Sequence, residues 1–436
     1  MLRRISMLVG LVVLFALPVP PASADLEVGK YIVVLEDDVA DPQSLAVAHS
    51  HAYEGVLGQV FESALKGYSV TLSRSEARAL SKDSQVAFVT PDRTVRALED
   101  APTGVARIGA TQQVEASGAA AVPIPVGIAV LDTGIDPTHP DLNMAGGVDC
   151  TTDPLGGLLG GLLGGGKGGG GKTEDGNGHG THVAGTAAAK GDGIGVVGVA
   201  PGAPVYAVRV FNSLGSGTLS EVVCGLDWVA ENAGTLGIKV VNMSLGAPGT
   251  DDGNCGATSK DAFHAAVCRV VASGVTVVVA AGNSGADFVE TVPAAYNEVL
   301  TVSAMADFDG KAGGGAPSTC KQEDVDDSAA DFSNFTMAGS PDESHLVAAP
   351  GVCITSTWKG GAYETISGTS MASPHVAGLV ARCIAVGPCA GLAPAQVISQ
   401  LRNDAAARGA ESGFAGDPGS PIEGRYYGFL VDAGGF

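Results

Sequence analysis

The stretch Gly368-Thr369-Ser370-Met371-Ala372-Ser373-Pro374-His375-Val376-Ala377-Gly378 determines how the rest of the sequence is interpreted. Small residues precede a hydroxyl and helix formers follow it. This predicts that Ser370 lies at a loop-to-helix junction, with Pro374 in the first helical turn. The N–H groups at a helix N-terminus lack intrahelical partners, so the backbone would stabilise an oxyanion forming at Ser370. Alone, the stretch could also be a serine N-cap that opens a core helix.

Two further stretches supply a carboxylate and an imidazole. Val126–Gly134 (VGIAVLDTG) is an apolar run that predicts a buried parallel strand ending at Asp132, at the sheet edge where open α/β folds bind ligands. Asp175–Gly185 (DGNGHGTHVAG) places His179 at the start of a helix. The chain therefore presents carboxylate, imidazole and hydroxyl in the order Asp, His, Ser.

In this order, and with these flanking residues, the three motifs resemble those of the subtilisin-like serine peptidases. The resemblance covers nearly the whole chain after residue 24. It implies that Asp132 orients the imidazole, that His179 is general base and then general acid, and that Ser370 attacks the substrate carbonyl. His182 matches a structural position of the family.

A fourth stretch, Val275–Asn283 (VTVVVAAGN), is another apolar strand that ends in glycine and an amide. The resemblance makes Asn283 the oxyanion-hole side chain, which would contribute about 3–4 kcal/mol to the transition state. The alternative is an ordinary turn residue after a strand.

Three other classes of protein compete with this interpretation. An aspartic peptidase could use Asp132-Thr133-Gly134, but it needs two such motifs, and the chain has one. A metal enzyme could use His179 and His182, but their spacing lacks the glutamate of the zinc-peptidase pattern. A binding or inhibitory protein on an inactive scaffold usually lacks one of the four catalytic groups, and all four are present here.

Composition limits the class of protein. Hydrophobic residues make up 45% of the 436 residues and charged residues 16%, which favours a folded chain with a large core. The formal net charge of −22 argues against nucleic-acid binding and against stable association with anionic membranes. We expect protein or peptide substrates and a monomer.

Residues 1–24 have the pattern of an export signal. Arg3 and Arg4 precede an apolar run from Met7 to Leu17, and Ala22-Ser23-Ala24 offers a small-residue cleavage site. The run is too short to span a bilayer, so we expect a secreted, extracellular protein.

Residues 25–101 form a separate unit in this interpretation. Strands at 31–35, 56–61, 66–72 and 86–89 with helices at 41–53 and 75–81 predict a β-α-β-β-α-β, ferredoxin-like domain. That pattern does not specify a function, and an adaptor domain remains an alternative. Its position before a subtilisin-like domain resembles the family's inhibitory propeptide, which assists folding and lays its C-terminal tail, here 91–101, in the active site.

Residues 102–436 are predicted to form the catalytic domain. Alternating strands and helices indicate an α/β fold with a mostly parallel sheet flanked by helices on both faces. The strands are expected at 127–131, 205–210, 239–243, 275–281, 299–303, 346–349 and 427–433, and the helices near 179–189, 219–233, 258–272, 371–386 and 394–403. A glycine-rich insertion at 155–171 interrupts the pattern, and its overlap with a phosphate-loop motif at 166–173 is a chance match because no strand precedes it.

The resemblance also implies substrate-binding residues. One loop would pair its backbone with an extended peptide, and two short segments would form the walls of the primary specificity pocket: Ser213, Leu214, Gly215, Ser216 and Gly217 for the loop, and Ser244, Leu245, Gly246, Ala281 and Gly282 for the walls. Neither wall is charged, which favours a large apolar or aromatic P1 side chain.

A structural calcium ion is a further expectation from the resemblance. Asp141 matches a family ligand, and the loop from Lys190 through Asp192 and Ile194 to Val196 matches the segment that supplies carbonyls and one side chain to the same ion. The alternative is that Asp141 caps a turn and Asp192 is solvated.

Eight cysteines in an exported chain suggest disulfides, although about 105 pairings are possible. Closeness in sequence and the family resemblance suggest Cys255 with Cys268, Cys320 with Cys353 and Cys383 with Cys389, which leaves Cys150 with Cys224.

Overall fold

The computed structural model of this chain describes residues 28–97, 104–110, 122–151, 173–193, 195–313, 315–320 and 324–433. The predicted export signal, the glycine-rich insertion and the last part of the predicted tail lie outside the described residues.

The N-terminal unit is a four-stranded antiparallel sheet in the order β2-β3-β1-β4 with two helices. Its elements are β1 (Val28–Leu35), α1 (Pro42–Ala52), β2 (Val56–Phe61), β3 (Gly67–Ser73), α2 (Arg74–Leu80) and β4 (Val86–Pro91). Ser73 begins α2 with a capping box, in which its hydroxyl and the Glu76 carboxylate each bond the other's backbone N–H. The ferredoxin-like prediction is confirmed.

The larger unit contains a nine-stranded sheet and five helices within the described residues. The order β21-β17-β14-β12-β10-β6-β8-β7 is parallel throughout, and β15 adds an antiparallel edge to β14. The strands of this sheet are β6 (Gly127–Asp132), β7 (Met144–Asp149), β8 (Val205–Arg209), β10 (Ile238–Met243), β12 (Thr276–Ala280), β14 (Leu300–Ala306), β15 (Ser328–Ala329), β17 (Leu346–Val352) and β21 (Phe429–Leu430). The predicted α/β class is confirmed.

The remaining elements are five helices and several short strands. The helices are α3 (His179–Ala188), α4 (Leu219–Leu236), α5 (Ala262–Ala272), α6 (Thr369–Val386) and α7 (Pro394–Arg408). The strands are β5 (Thr94–Ala97), β9 (Ser216–Thr218), β11 (Leu245–Pro248), β13 (Thr291–Val292), β16 (Thr336–Met337), β18 (Ile354–Trp358), β19 (Ala362–Ile366) and β20 (Arg425–Tyr426).

The sheet is buried on both faces, which explains the continuous apolar runs in its strands. In β6, Ile128 and Val130 belong to the hydrophobic cluster that includes α3 and α6, whereas Ala129 and Leu131 belong to the cluster that includes α4 and α5. Because both faces are covered, Asp132 is fully buried at the carboxyl end of β6.

The N-terminal unit packs against α4 and α5 of the larger unit. Ile32, Val34 and Phe61 join the same hydrophobic cluster as these helices. The Asp227 carboxylate on α4 accepts hydrogen bonds from the backbone N–H groups of residues 62–64, at distances between 2.5 and 3.2 Å. The two units therefore share a core and a polar contact.

Two helices differ in detail from the predictions. Pro374 lies in the second turn of α6, not the first, because the helix already begins at Thr369. Helix α5 begins at Ala262, not near 258, because the Asp252 carboxylate holds the N–H groups of Asn254, Gly256, Thr258 and Ser259 in a loop. Asp261 then caps the helix.

All four predicted disulfides are present, with Cα–Cα distances between 5.1 and 6.0 Å. None of the described helices combines the length and apolar composition that a membrane crossing requires.

Candidate active site

The structure brings Asp132 and His179 into direct contact. Asp132 is the last residue of β6 and His179 the first of α3, and Nδ1 of the imidazole lies 2.8 and 2.9 Å from the two carboxylate oxygens. Both side chains are buried. The close approach requires glycine at 180, since a Cβ there would lie 2.1 Å from the carbonyl oxygen of Gly134.

Asp175 holds the start of α3 in place, a role that the sequence analysis missed. Its buried carboxylate accepts hydrogen bonds from Thr133 Oγ1 and from the N–H groups of Asn177, Gly178 and Thr181, at 2.7 to 2.9 Å. It thereby ties the loop after β6 to the helix that carries His179. The acidic residue four positions before the histidine was the available signal.

Ser370 is the second residue of α6 and is fully buried. Asn283 lies beside it because its Oδ1 accepts hydrogen bonds from Thr369 N at 2.9 Å and Thr369 Oγ1 at 2.8 Å. This fixes the amide orientation, and among the described residues neither Asn283 Nδ2 nor Ser370 Oγ has a hydrogen-bond partner. One amide donor and one hydroxyl near the start of α6 are therefore without a partner in the described part of the chain.

Asn334 supports the turn that carries Asn283. Its amide oxygen accepts hydrogen bonds from Ser284 N at 2.9 Å and Ala286 N at 3.2 Å, and its Nδ2 donates to Ala281 O at 3.0 Å. Sequence analysis did not identify this residue, because it lies far along the chain and no local pattern marks it.

The carbonyl of Ser370 has an unusual donor. Pro374 has no N–H for the helical bond to that carbonyl, and Ser244 Oγ donates to it instead, at 2.8 Å. Ser244 Oγ in turn accepts from Asn242 Nδ2 at 2.9 Å, and Asn242 Oδ1 accepts from Ser373 Oγ at 2.9 Å. The Ser244 side chain therefore supports the turn at Ser370, so only its backbone can face the predicted pocket.

His182 lies one turn beyond His179 and contacts other residues than Asp132. Its Nε2 lies 3.0 Å from the carbonyl oxygen of Ile354, and its ring meets Trp358 edge-on. Burial lowers the pKa of His182 to about 3, so the ring is neutral and packs as a core side chain.

The predicted substrate loops surround a strand of the N-terminal unit. Strand β5 pairs antiparallel with β9, so that Val95 faces Gly217 and Arg96 faces Ser216, and also with β11, so that Arg96 faces Gly246. Arg93, just before β5, donates to the carbonyl of Pro248 at 2.5 Å. The cleft between β9 and β11 thus already binds an extended peptide segment of the same chain.

Other predicted substrate residues lie around this cleft. Ser213, Leu214 and Gly215 form the turn before β9, closed by the Gly215 N–H to Asn212 carbonyl bond at 3.0 Å. Leu245 pairs with Ala97. Ala281 and Gly282 follow β12. A Cβ atom at position 282 would lie 2.5 Å from Asn334 Nδ2 and 3.6 Å from Thr291 Cγ2.

The predicted calcium residues also come together. Asp141 Oδ2 accepts from Val196 N at 3.0 Å and from the Tyr363 hydroxyl at 3.2 Å, and the Asp141 carbonyl accepts from Lys190 N at 2.9 Å. Asp141 Oδ1 is buried with no partner in the described part of the chain. Burial raises the pKa of Asp141, and the nearby Asp192 raises it further. Ile194 lies outside the described residues.

A buried carboxylate–imidazole pair at the carboxyl end of a parallel sheet strand, with a serine at the N-terminus of a helix that packs on the helix of the histidine, is the arrangement of a serine hydrolase. Comparison with known proteins narrows this class. The subtilase family model matches residues 125–421, and a peptidase inhibitor I9 model matches residues 30–98.

Curated relatives agree with these matches. M-protease of Shouchella clausii (strain KSM-K16) is 36% identical over 346 residues, which cover 78% of this chain and 74% of that protein. Subtilisin E of Bacillus subtilis (strain 168) is 36% identical over 331 residues, or 73% of this chain and 71% of that protein. A crystal structure of a cold adapted subtilisin-like serine proteinase superposes with a TM-score of 0.50 at 31% identity, covering 71% of this chain and 88% of that one.

The chain therefore belongs to the subtilase family. It is a serine endopeptidase that acts on peptides, and its N-terminal unit is an intramolecular inhibitor of the I9 class.

Proposed function

We propose that this protein is a secreted endopeptidase that removes its own N-terminal unit and cleaves peptides through Asp132, His179 and Ser370, with Asn283 in the oxyanion hole. The observation that carries the proposal is the buried Asp132–His179 pair, together with Ser370 at the start of α6, where the neighbouring Thr369 orients Asn283. The export signal predicted at 1–24 is part of the same proposal.

The chemistry follows from these positions. Asp132 accepts the Nδ1–H of His179, which leaves Nε2 to take the proton of the Ser370 hydroxyl as the oxygen attacks the peptide carbonyl. Asn283 Nδ2 and the N–H groups at the start of α6 stabilise the oxyanion. His179 then protonates the leaving amine, and water hydrolyses the acyl-enzyme by the same route.

The maturation cut is proposed to fall between Ala97 and Gly104. Up to Ala97 the backbone fills the cleft between β9 and β11. From Gly104 on, the chain is held elsewhere: buried Arg107 pairs with Asp307 and Asp327, and Ile108 O accepts from Ala433 N at 2.7 Å. The new N-terminus would thus be anchored before the cut.

The experiment that tests this function is the intact mass and N-terminal sequence of the exported protein, beside a Ser370→Ala variant. We expect the wild type to begin at a residue between 98 and 104 and the variant to retain its N-terminal unit. Equal trimming of both would mean that another protease matures the chain.

Peptides with a large apolar or aromatic P1 residue are proposed as the preferred substrates. The segments after β10 and β12 that flank the cleft, Ser244–Gly246 and Ala281–Gly282, carry no charge. A panel of peptides that differ only at P1 would measure the preference as a ratio of kcat/KM values.

Replacing Asn283 by leucine is expected to lower kcat by about 10²–10³-fold with little change in KM, because the amide donates to charge that develops only in the transition state. Kinetics on a chromogenic peptide check this. Asn403→Leu, the same change at an exposed position of α7, is the control. A loss confined to KM would contradict the role of Asn283.

The Ser244 hydroxyl and Pro374 are expected to be coupled. Ser244→Ala leaves the buried Ser370 carbonyl without its donor, and we expect kcat to fall about tenfold. Pro374→Ala restores a helical N–H for that carbonyl, so the loss from Ser244→Ala should be smaller in the Pro374→Ala background. Equal losses in both backgrounds, measured as a double-mutant cycle, would refute the coupling.

Calcium is proposed as a structural ion held by Asp141 and by carbonyls of the 190–196 loop. The buried, unpartnered Asp141 Oδ1 supports the site, since hard oxygen ligands suit Ca²⁺. The ion would fix this loop against Asp141 and take no part in peptide hydrolysis.

Removal of calcium is therefore expected to lower the melting temperature of the wild type by several degrees, because an ion that binds only the folded state stabilises it. Thermal unfolding with and without EGTA checks this. The Asp141→Asn variant should melt at a lower temperature than the wild type even with calcium present, and EGTA should change its melting temperature little. A wild type insensitive to EGTA would exclude the site.

A further inference from the structure

The loop between β11 and α5 contains a second cluster of metal-ligating side chains, far from the 190–196 loop in sequence. It includes Asp251 and Asp252, and it is closed by the Cys255–Cys268 disulfide. His264, in the first turn of α5, is fully buried beneath this loop. None of these residues has a role in the hydrolysis described above.

The His264 ring is held in one orientation. Its Nε2 lies 2.9 Å from Glu298 Oε2, and its face stacks on the Tyr296 ring with centroids 3.9 Å apart and planes 3° from parallel. When Nε2–H donates to Glu298, the neutral ring presents its Nδ1 lone pair on the opposite side.

That Nδ1 faces two carboxylates but makes no hydrogen bond to either, while Asp252 Oδ1 accepts from Asn254 N and Gly256 N and Asp251 Oδ1 accepts from Gly253 N. Nδ1 lies 3.4 Å from Asp251 Oδ1 and 3.4 Å from Asp252 Oδ1, and among the described residues it has no hydrogen-bond partner. A buried lone pair directed at two carboxylate oxygens is repulsive unless a cation or a proton lies between them.

The spacing fits a metal ion. Zinc binds histidine nitrogen and carboxylate oxygen at about 2.0–2.2 Å, so two tetrahedral ligands lie about 3.4 Å apart. The three ligand atoms all lie within 4.8 Å of one another. Glu298 is placed to accept the other ring N–H of His264, and a metal-binding histidine normally donates that N–H to a carboxylate.

We infer that Asp251, Asp252 and His264 bind a divalent transition metal, with zinc as the ion the ligand set favours. An imidazole ligand selects against calcium and magnesium, which take oxygen ligands. The bound ion ties the loop after β11 to helix α5.

A bound proton is the competing explanation for the same cluster. Burial opposes protonation of His264, but Glu298, Asp251 and Asp252 raise its pKa. An imidazolium would neutralise part of the cluster without any metal, so the test has to separate the two.

The test is a titration of the chelator-treated protein with zinc chloride at pH 8 in excess calcium, which keeps the proposed calcium site filled. We expect one zinc per chain by calorimetry. Glu298→Gln should weaken binding 10–100-fold, since it removes only the outer partner. Asp251→Asn should weaken it at least as much. Glu290→Gln, which removes an exposed carboxylate, is the matched control and should bind as the wild type does.

Cobalt(II) provides a readout that needs no variant. The unmutated protein should develop the visible absorption of a four-coordinate cobalt site, and zinc should remove it. Absence of stoichiometric zinc binding, or equal binding by Asp251→Asn, would overturn the inference and favour the imidazolium.

Discussion

Replacing Ser370 by alanine is expected to lower kcat for peptide hydrolysis by more than about 10⁴-fold. The variant keeps the oxyanion donors and the cleft but loses the oxygen that forms the acyl-enzyme, so only transition-state binding remains. Self-cleavage should stop as well, since the same hydroxyl would attack the tail. Steady-state kinetics measure the first effect, and intact mass over time measures the second.

Ser399→Ala is the control for this prediction, because Ser399 lies on the exposed face of α7 and its hydroxyl contacts only its own helix. This variant should mature and turn over as the wild type does. If Ser370→Ala retained more than a hundredth of the wild-type kcat, Ser370 would not be the nucleophile.

Replacing Asp132 by asparagine is expected to reduce kcat by about 10⁴-fold. The substitution preserves shape, but an amide N–H facing Nδ1 of His179 favours the tautomer with its proton on Nε2, and that nitrogen can then not act as base. The rate of self-cleavage is the most direct measure, because that reaction is intramolecular and independent of substrate binding.

Asp149 offers a matched control for Asp132. Asp149 is the last residue of the parallel strand β7. In the sheet, both Asp149 and Asp132 lie in backbone register with Arg209, on the strand between them. The Asp149 carboxylate bonds Arg209 Nη1 at 3.1 Å and not a histidine. Asp149→Asn should leave kcat within a few fold of the wild type. A loss of less than tenfold for Asp132→Asn would remove Asp132 from the mechanism.

The long apolar strands and buried helices could be predicted from the sequence because their patterns are local. Strands such as β6, β12 and β14 are fully buried and mostly apolar, as both faces of the sheet are covered. Helix α6 is buried from Thr369 to Cys383 because small and apolar residues predominate after Ser370.

Edge and hairpin strands were missed. Strand β7 (MAGGVD) contains two glycines and no apolar alternation, and only pairing with β8 makes it a strand. The β18–β19 hairpin packs on α3, where Gly185 lies so close to Thr357 and Ser356 that no side chain fits. Such elements depend on neighbours distant in sequence.

The residues of the candidate site also fall into those that local motifs indicate and those that only distant contacts reveal. Asp132, His179, Ser370 and Asn283 each stand at the end of a recognisable element, so the motifs indicated them. Their supports, Asp175, Asn334 and the Asn242–Ser244–Ser373 group, act through hydrogen bonds between distant segments. Only the folded chain shows that Pro374 makes the Ser244 hydroxyl necessary.

The most direct test of the central claim is covalent labelling of the matured enzyme with a fluorophosphonate, followed by peptide mapping. The account predicts one adduct per chain, on Ser370, with activity lost in proportion to labelling. An active enzyme that forms no adduct, or whose adduct lies on another residue, would contradict it.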